Sequence, residues 1–400
     1  MARGRARWKR YVDPKTYLTR AMVGLETAAP GIAGALGYYS ILRPPSRLER
    51  LAEISIASPA ADPPYAAAYR TLTIANVDTP TGQLGHPGHA DLAPGTPSLG
   101  PLRPLETRLF AGVVPDVVVP GHTLMPADGR TGRLLSAYMS GHVNWGLAYP
   151  QPPLRTVRLP GLAWAVPPVR NYFHLLIEHI LPALDALIRV PDLARGEPVS
   201  VIVSQRLPTV AYFVELMGAL GIPVEIVRAR PFTAYRPERY LFAKPISATV
   251  EHFYAYTQTV AALREAAARR GDAPPPSERL YIPRTGTRIR RLETEGSLMA
   301  ALEARGFAPF AANWSNIDRQ VATFLGAREI VSVHGAALTN IVWAGAEARV
   351  VEIFPVNARK TTYLHMAALH GQGYAPVIGG PEDETQSFSA PVESVLEALR

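Results

Sequence analysis

The 400-residue chain contains no cysteine. Disulfide bonds, thiolate metal sites and a cysteine nucleophile are therefore excluded, which fits a reducing compartment without requiring one. No run of about 18 apolar residues occurs, and no apolar stretch behind the N-terminus reads as a signal peptide, so a soluble or surface-attached protein is expected. Two phosphate-binding fingerprints are missing, Gly-x-x-x-x-Gly-Lys-Ser/Thr and Gly-x-Gly-x-x-Gly. There is also no Asp-x-Asp pair of the kind that holds a metal-bridged diphosphate. No internal repeat or heptad pattern is visible.

What is present describes a globular chain: 48% hydrophobic and 18% charged residues, with a length that suggests two domains. The net charge is +8, and much of it lies at the front, where Arg3, Arg5, Arg7, Lys9, Arg10, Lys15 and Arg20 face one acid, Asp13. Such a segment reads as a solvated tail, a nucleic-acid arm or a contact with anionic lipid.

Residues 1–65 carry few periodic signals. From Tyr69 to about Val157 the chain is rich in strand-like runs and loops, including the Pro/Gly-dense TPTGQLGHPGHADLAPGTPSLGP. His86, His89 and Asp91 in that loop resemble a metal cluster, but a Gly/Pro loop is a poor holder for a metal. From Asn171 helices and short apolar strands alternate. The triple proline of DAPPPSE, residues 272–278, reads as a stiff linker, and beyond it the alternation restarts. The expected division is 1–65, 66–272 and 273–400. The expected fold is α/β, with parallel sheets in two halves facing across a cleft and ligands at the strand C-terminal ends.

Four clusters could carry chemistry. In RLYIPRTGTRIRRLETE, Arg284 sits at a strand exit and Arg288 follows in a turn, and guanidinium forks match phosphate oxygens. In REIVSVHGAALTNIVWA, His334, Gly335 and Ala336 stand between a strand and a helix, where small residues and helix amides make an anion cradle. In VVEIFP, Glu352 lies in an apolar strand, either paired inside the protein or accepting hydrogen bonds from a ribose. In NYFHLLIEHILP, His174 and Glu178 are four apart and share one face of a helix, suited to taking a proton from a hydroxyl. Histidines 174 and 179 are five apart, which on a regular helix separates them by about 140° and argues against a shared zinc.

Together these segments resemble glycosyltransferase family 61. NYFHLLIEHILPAL is similar to the family's Asn-Tyr-x-His-Trp-x-x-Glu-x-x-Pro-Arg-Leu segment, and RLYIPRTGTRIRRLETE to its Tyr-Ile-Ser-Arg and Arg-x-x-x-Asn-Glu segments. IDRQVATFLGAREIVSVHGAALTNIVWAGAEARVVEIFP is similar to its Gln, His-Gly-Ala, Thr-Asn and Glu pattern. Leu175, Ala183, Pro283 and Thr294 depart from it. The resemblance implies a fold of the glycosyltransferase B type, with two Rossmann-like halves and a β-rich N-terminal extension. It implies an inverting transfer from a nucleotide-sugar donor to a glycan or other hydroxyl acceptor, in surface or capsular polysaccharide synthesis, with no cofactor and no strict need for a metal. His174 and Glu178 would be catalytic, and Arg284, Arg288, His334, Gly335, Ala336, Asn340 and Glu352 would bind the donor. A cytoplasmic location is expected, peripheral at the inner membrane face if the basic N-terminus meets anionic lipid; nucleic acid is not an expected partner. The competing class is a non-catalytic binder of polysaccharide or an anionic surface on the same fold.

Overall fold

A computed structural model describes residues 69–77, 105–129, 153–169, 171–204, 208–245, 256–270, 277–284, 291–312, 316–357 and 362–400. The expectations for residues 1–65, for the loop holding His86, His89 and Asp91, for the three prolines and for Arg288 lie outside these residues.

By its contacts the chain divides into two units. After β1 (Tyr69–Val77), the first unit contains β2 (Leu105–Val114) from Leu109 on, β3 (Val117–Pro120), β4 (Ala127–Asp128), β5 (Arg155–Val166), β6 (Val199–Ser204), β7 (Val224–Ala229) and β8 (Thr233–Pro245). Strands β8, β5, β6 and β7 run parallel in that order. The sheet is mixed, because β2 and β3, from the strand-rich part of the sequence, pair antiparallel with β8. Residues 162–166 of β5 are buried on successive positions, as expected for a central strand covered on both faces. A π-helical stretch, His174–Ile180, runs into α1 (Leu181–Arg189), and α2 (Pro208–Ala219) follows β6.

The second unit is built on β9 (Arg279–Ile282), β10 (Ala308–Pro309), β11 (Glu329–Val333), β12 (Arg349–Pro355) and β13 (Gly373–Gly379). All its pairings are parallel, in the order β10-β9-β11-β12-β13. Counted within the unit this is 2-1-3-4-5, a doubly wound sheet whose strand order reverses between β9 and β11. Helices α4 (Glu295–Glu303) and α7 (Val392–Ala398) cover one face, placing Leu298, Leu302 and Val395 against Tyr281, Val331, Val333, Val351, Ile353 and Val377. The alternate positions, among them Ser332 and Glu352, point to the opposite face. The remaining helical elements are α3 (Thr257–Arg269), α5 (Ile317–Leu325), a 3-10 helix (Ala336–Trp343) and α6 (Thr362–Leu369).

The last segment of the second unit is residues 246–400, so α3 clusters with this unit. The reason is an apolar stripe. Val260, Leu263 and Ala267 are buried at helical spacing, and α3 packs on α5 and on the 3-10 helix.

His370, just after α6, yields a pH dependence. Burial, and then the Arg264 guanidinium, push its imidazole down to about 4. The unfolded chain titrates near ~6.5, so on acidification it takes up the proton first. Stability should therefore fall between pH ~6.5 and 4, by about 1.4 kcal/mol per unit and by at most ~3 kcal/mol from this group. Urea unfolding at pH 7, 5.5 and 4.5 should show a shallower acid loss for His370→Gln than for the wild type. Parallel losses would mean the burden lies on other groups.

Candidate functional site

In an open α/β sheet a ligand sits beyond the strand C-termini at the point where strand order reverses. Here that point is the shared end of β9 and β11. Strand β9 exits through Pro283 to Arg284, and β11 exits to His334 and Gly335. The Arg284 guanidinium lies against the α-carbon of Gly335, where a side-chain Cβ would run into its Nη1. Gly335 has an extended backbone with φ 174, so what the position requires is space for the arginine, not a glycine-only conformation. The strand exit is tied down by Glu295, whose Oε1 accepts from the Arg284 backbone N–H at 2.6 Å and from the Tyr281 hydroxyl at 2.9 Å. Burial and then the Glu295 charge push the Tyr281 phenol well above its ordinary range, so it remains a donor.

His334 is oriented from behind. Its Nδ1 lies 2.6 Å from Glu352 Oε1, and the Tyr374 hydroxyl donates to Glu352 Oε2 at 2.6 Å. The three residues come from or directly follow the adjacent strands β11, β12 and β13. Glu352 has an exposure of 0%, and both its oxygens are used. Of its two sequence readings, the internal pair is the one observed, with His334 as the partner. Burial and the Glu352 charge hold the Tyr374 phenol far above its ordinary value. With Nδ1 engaged, Nε2 is the edge of the ring left to meet a ligand. The ring stacks on Phe354 at 5.4 Å and touches Tyr363 at 5.5 Å.

The helix expected after His334 is the 3-10 helix, whose tighter turn begins with the Leu338 N–H donating to Gly335 O at 2.9 Å. Asn340 sets this geometry. Its Nδ2 donates to Ala337 O and its Oδ1 accepts from Gln320 Nε2, both at 2.8 Å, and the residue is fully buried. Asn340 therefore braces the cradle instead of facing a donor. Gln372 Nε2 donates to the carbonyls of Ile341 and Ala344, occupying the C-terminal end. At the other end no side chain caps the helix, so the partial positive charge of its first amides stays available beside Arg284 and Ala336.

One short segment of the 170s belongs to this unit. The Trp343 Nε1–H donates to the Tyr172 hydroxyl at 3.0 Å, and Phe173 meets Tyr363 edge-on at 6.2 Å. The next residue in the chain, His174, clusters with the first unit. There His174 Nδ1 lies 2.8 Å from Glu178 Oε1. The side chains are 16% and 4% exposed, so the histidine is the more open member. The regular helix expected here is π-helical over its first seven residues, so the 140° separation of His174 and His179 does not hold. Among the described residues, no three His, Asp or Glu side chains are grouped so as to hold a metal ion.

The structure thus joins Arg284, His334, Gly335 and Ala336 at one sheet edge, sets Glu352 and Asn340 behind them, and pairs His174 with Glu178 in the first unit. Glu295, Tyr363 and Tyr374 were not singled out from the sequence. Glu295 had a signal, as an acid at the start of a helix that follows an arginine-rich strand exit. Tyr374 had none, because its contact with Glu352 depends on which strands are neighbours.

Residues 172–351 match the family described as Glycosyltransferase 61, so this span is a glycosyltransferase family 61 domain, as the motifs implied. No curated protein matches the chain.

The buried Tyr374–Glu352–His334 chain should behave as one energetic unit. Glu352→Ala, which strands two polar partners, should cost about 3–5 kcal/mol in denaturant unfolding, and Tyr374→Phe about 1–2 kcal/mol. The double variant should cost clearly less than the sum. Strict additivity would show that the two side chains are not coupled.

Proposed function

We propose that this protein is an inverting glycosyltransferase of the glycosyltransferase B type. It would move a hexosyl or pentosyl group from a nucleotide sugar to a hydroxyl of a glycan or similar acceptor, in cytoplasmic synthesis of surface or capsular polysaccharide. The observation that carries this reading is the meeting of Arg284, His334 and the uncapped 3-10 helix at the switch point of the second sheet, inside a family 61 domain.

In this mechanism the donor diphosphate lies at the β9/β11 edge. The acceptor oxygen attacks the anomeric carbon from the face opposite the diphosphate. The new C–O bond forms as the old one breaks, and the anomeric centre inverts. The electron pair leaves with the nucleoside diphosphate, whose growing charge is met by the Arg284 guanidinium and the helix amides. His334, held by Glu352, presents its Nε2 edge to a phosphate oxygen or a donor hydroxyl. The acceptor proton goes to the His174 imidazole, which Glu178 orients through Nδ1. Cationic groups of the chain do the work of charge neutralisation, so no cofactor or metal ion is required.

Arg284→Ala should weaken binding of the preferred nucleoside diphosphate by about 1.5–3 kcal/mol, read by calorimetry across UDP, GDP and CDP. Unchanged affinity in a folded variant would place the phosphates elsewhere.

His174→Ala should lower turnover by roughly 10²–10⁴ while nucleotide affinity stays near wild type. Transfer followed by product mass spectrometry should persist in excess EDTA. Loss of transfer that Mg²⁺ or Mn²⁺ restores would contradict the metal-free route. Nucleotide binding with no transfer to any acceptor would instead favour a non-catalytic binder.

A further inference from the structure

Leu154 and Phe232 are large apolar side chains that the first unit leaves in solvent, 80% and 45% exposed. They are neighbours: the N–H groups of Leu154 and Arg155 both donate to the Phe232 carbonyl, at 2.8 and 3.2 Å. Phe232 adopts φ 54, in the left-handed region where a bulky residue is an outlier. The turn that holds it there is braced throughout. The Arg230 N–H donates to the Tyr235 hydroxyl at 2.9 Å, and that hydroxyl donates to Arg228 O at 3.3 Å. The Thr233 hydroxyl donates to Pro231 O at 3.2 Å, and the Gly121 N–H donates to Thr233 O at 2.7 Å. The fold therefore fixes an aromatic ring outward in a strained backbone, and strain of this kind persists only where the surroundings over-determine it.

Positive charge gathers at this tip. Arg155, Arg228 and Arg230 are exposed beside it, and residues 153–166 and 226–237 contain no Asp or Glu. Farther along, Arg158 and Arg236 lie in register on β5 and β8, both exposed, and like charges so placed repel. Two ion pairs of this unit, Arg239–Glu197 and His174–Glu178, involve none of these arginines.

We propose that this face docks on an anionic lipid surface, with Leu154 and Phe232 entering the interface and the arginines meeting lipid phosphates. A bilayer interface offers apolar depth and negative charge at the same place. A soluble polyanion would satisfy the arginines but leave the two apolar side chains in water. The proposal is independent of the transfer reaction and of the basic residues 1–20, and it gives the first unit its own means of attachment.

Because the chain lacks cysteine, Phe232→Cys and Leu154→Cys each allow one environment-sensitive fluorophore to be attached to the full-length protein. Both labels should shift to the blue with phosphatidylcholine vesicles containing 30% phosphatidylglycerol, and stay unshifted with phosphatidylcholine alone. In co-sedimentation, Arg155→Gln/Arg228→Gln/Arg230→Gln should bind the anionic vesicles on the order of 100-fold more weakly, at roughly a fivefold loss per arginine. The tail is present in every variant, so the difference reports on this face. Labels that never shift would overturn the proposal. So would arginine-dependent binding of soluble polygalacturonate with vesicle binding unaffected by the triple substitution, which would make the face a polyanion site.

Discussion

A carboxylate with no exposure at all, in the middle of a parallel sheet, can stay there only if both its oxygens are held. Glu352 is held by His334 on one side and Tyr374 on the other. This costly arrangement has a directional result: it fixes the plane of an imidazole at the end of β11, one residue before the chain turns. Gly335 then leaves room for the Arg284 guanidinium, Glu295 secures the backbone from which that arginine comes, and Gln320 with Asn340 tightens the helix that follows. A cation, a polarised imidazole and a helix N-terminus are thereby concentrated at the one sheet edge where the topology opens a crevice.

The two histidine–glutamate pairs differ in what they can do. Both are joined through Nδ1. The pair in the sheet is closed around its glutamate and stacked among aromatic rings, which suits fixed orientation. The pair at 174 and 178 sits on a π-helical turn with its histidine more open, which suits proton exchange. Such turns recur at functional sites because the extra residue redirects side chains without ending the helix.

Much of the second unit was legible in the sequence. Short apolar runs separated by helical periods announced the parallel sheet, and the turn at His334–Gly335 stood out because polar and small residues interrupt an apolar strand. What could not be read was the lateral order of strands. Sequence adjacency does not place β9 beside β11, so neither the contact of Arg284 with Gly335 nor that of Tyr374 with Glu352 could be anticipated. The polar side chains that face inward were misjudged for a related reason. Asn340 and Glu352 look like ligand contacts when only their polarity is visible, and burial alone shows them to be braces. In the first unit, helix–strand alternation from Asn171 on announced parallel strands, whereas the antiparallel addition of β2 and β3 to β8 leaves no mark in periodicity.

The central claim is that the edge formed by Arg284, His334 and Gly335 receives a diphosphate. A crystal structure of the protein with its preferred nucleoside diphosphate tests it most directly. The account predicts phosphate oxygens within hydrogen-bonding distance of the Arg284 guanidinium and the leading amides of the 3-10 helix, with His334 Nε2 turned toward the ligand and Glu352 still enclosed. A nucleotide bound with its phosphates away from this edge, or reaching Glu352 through a displaced His334, would contradict it.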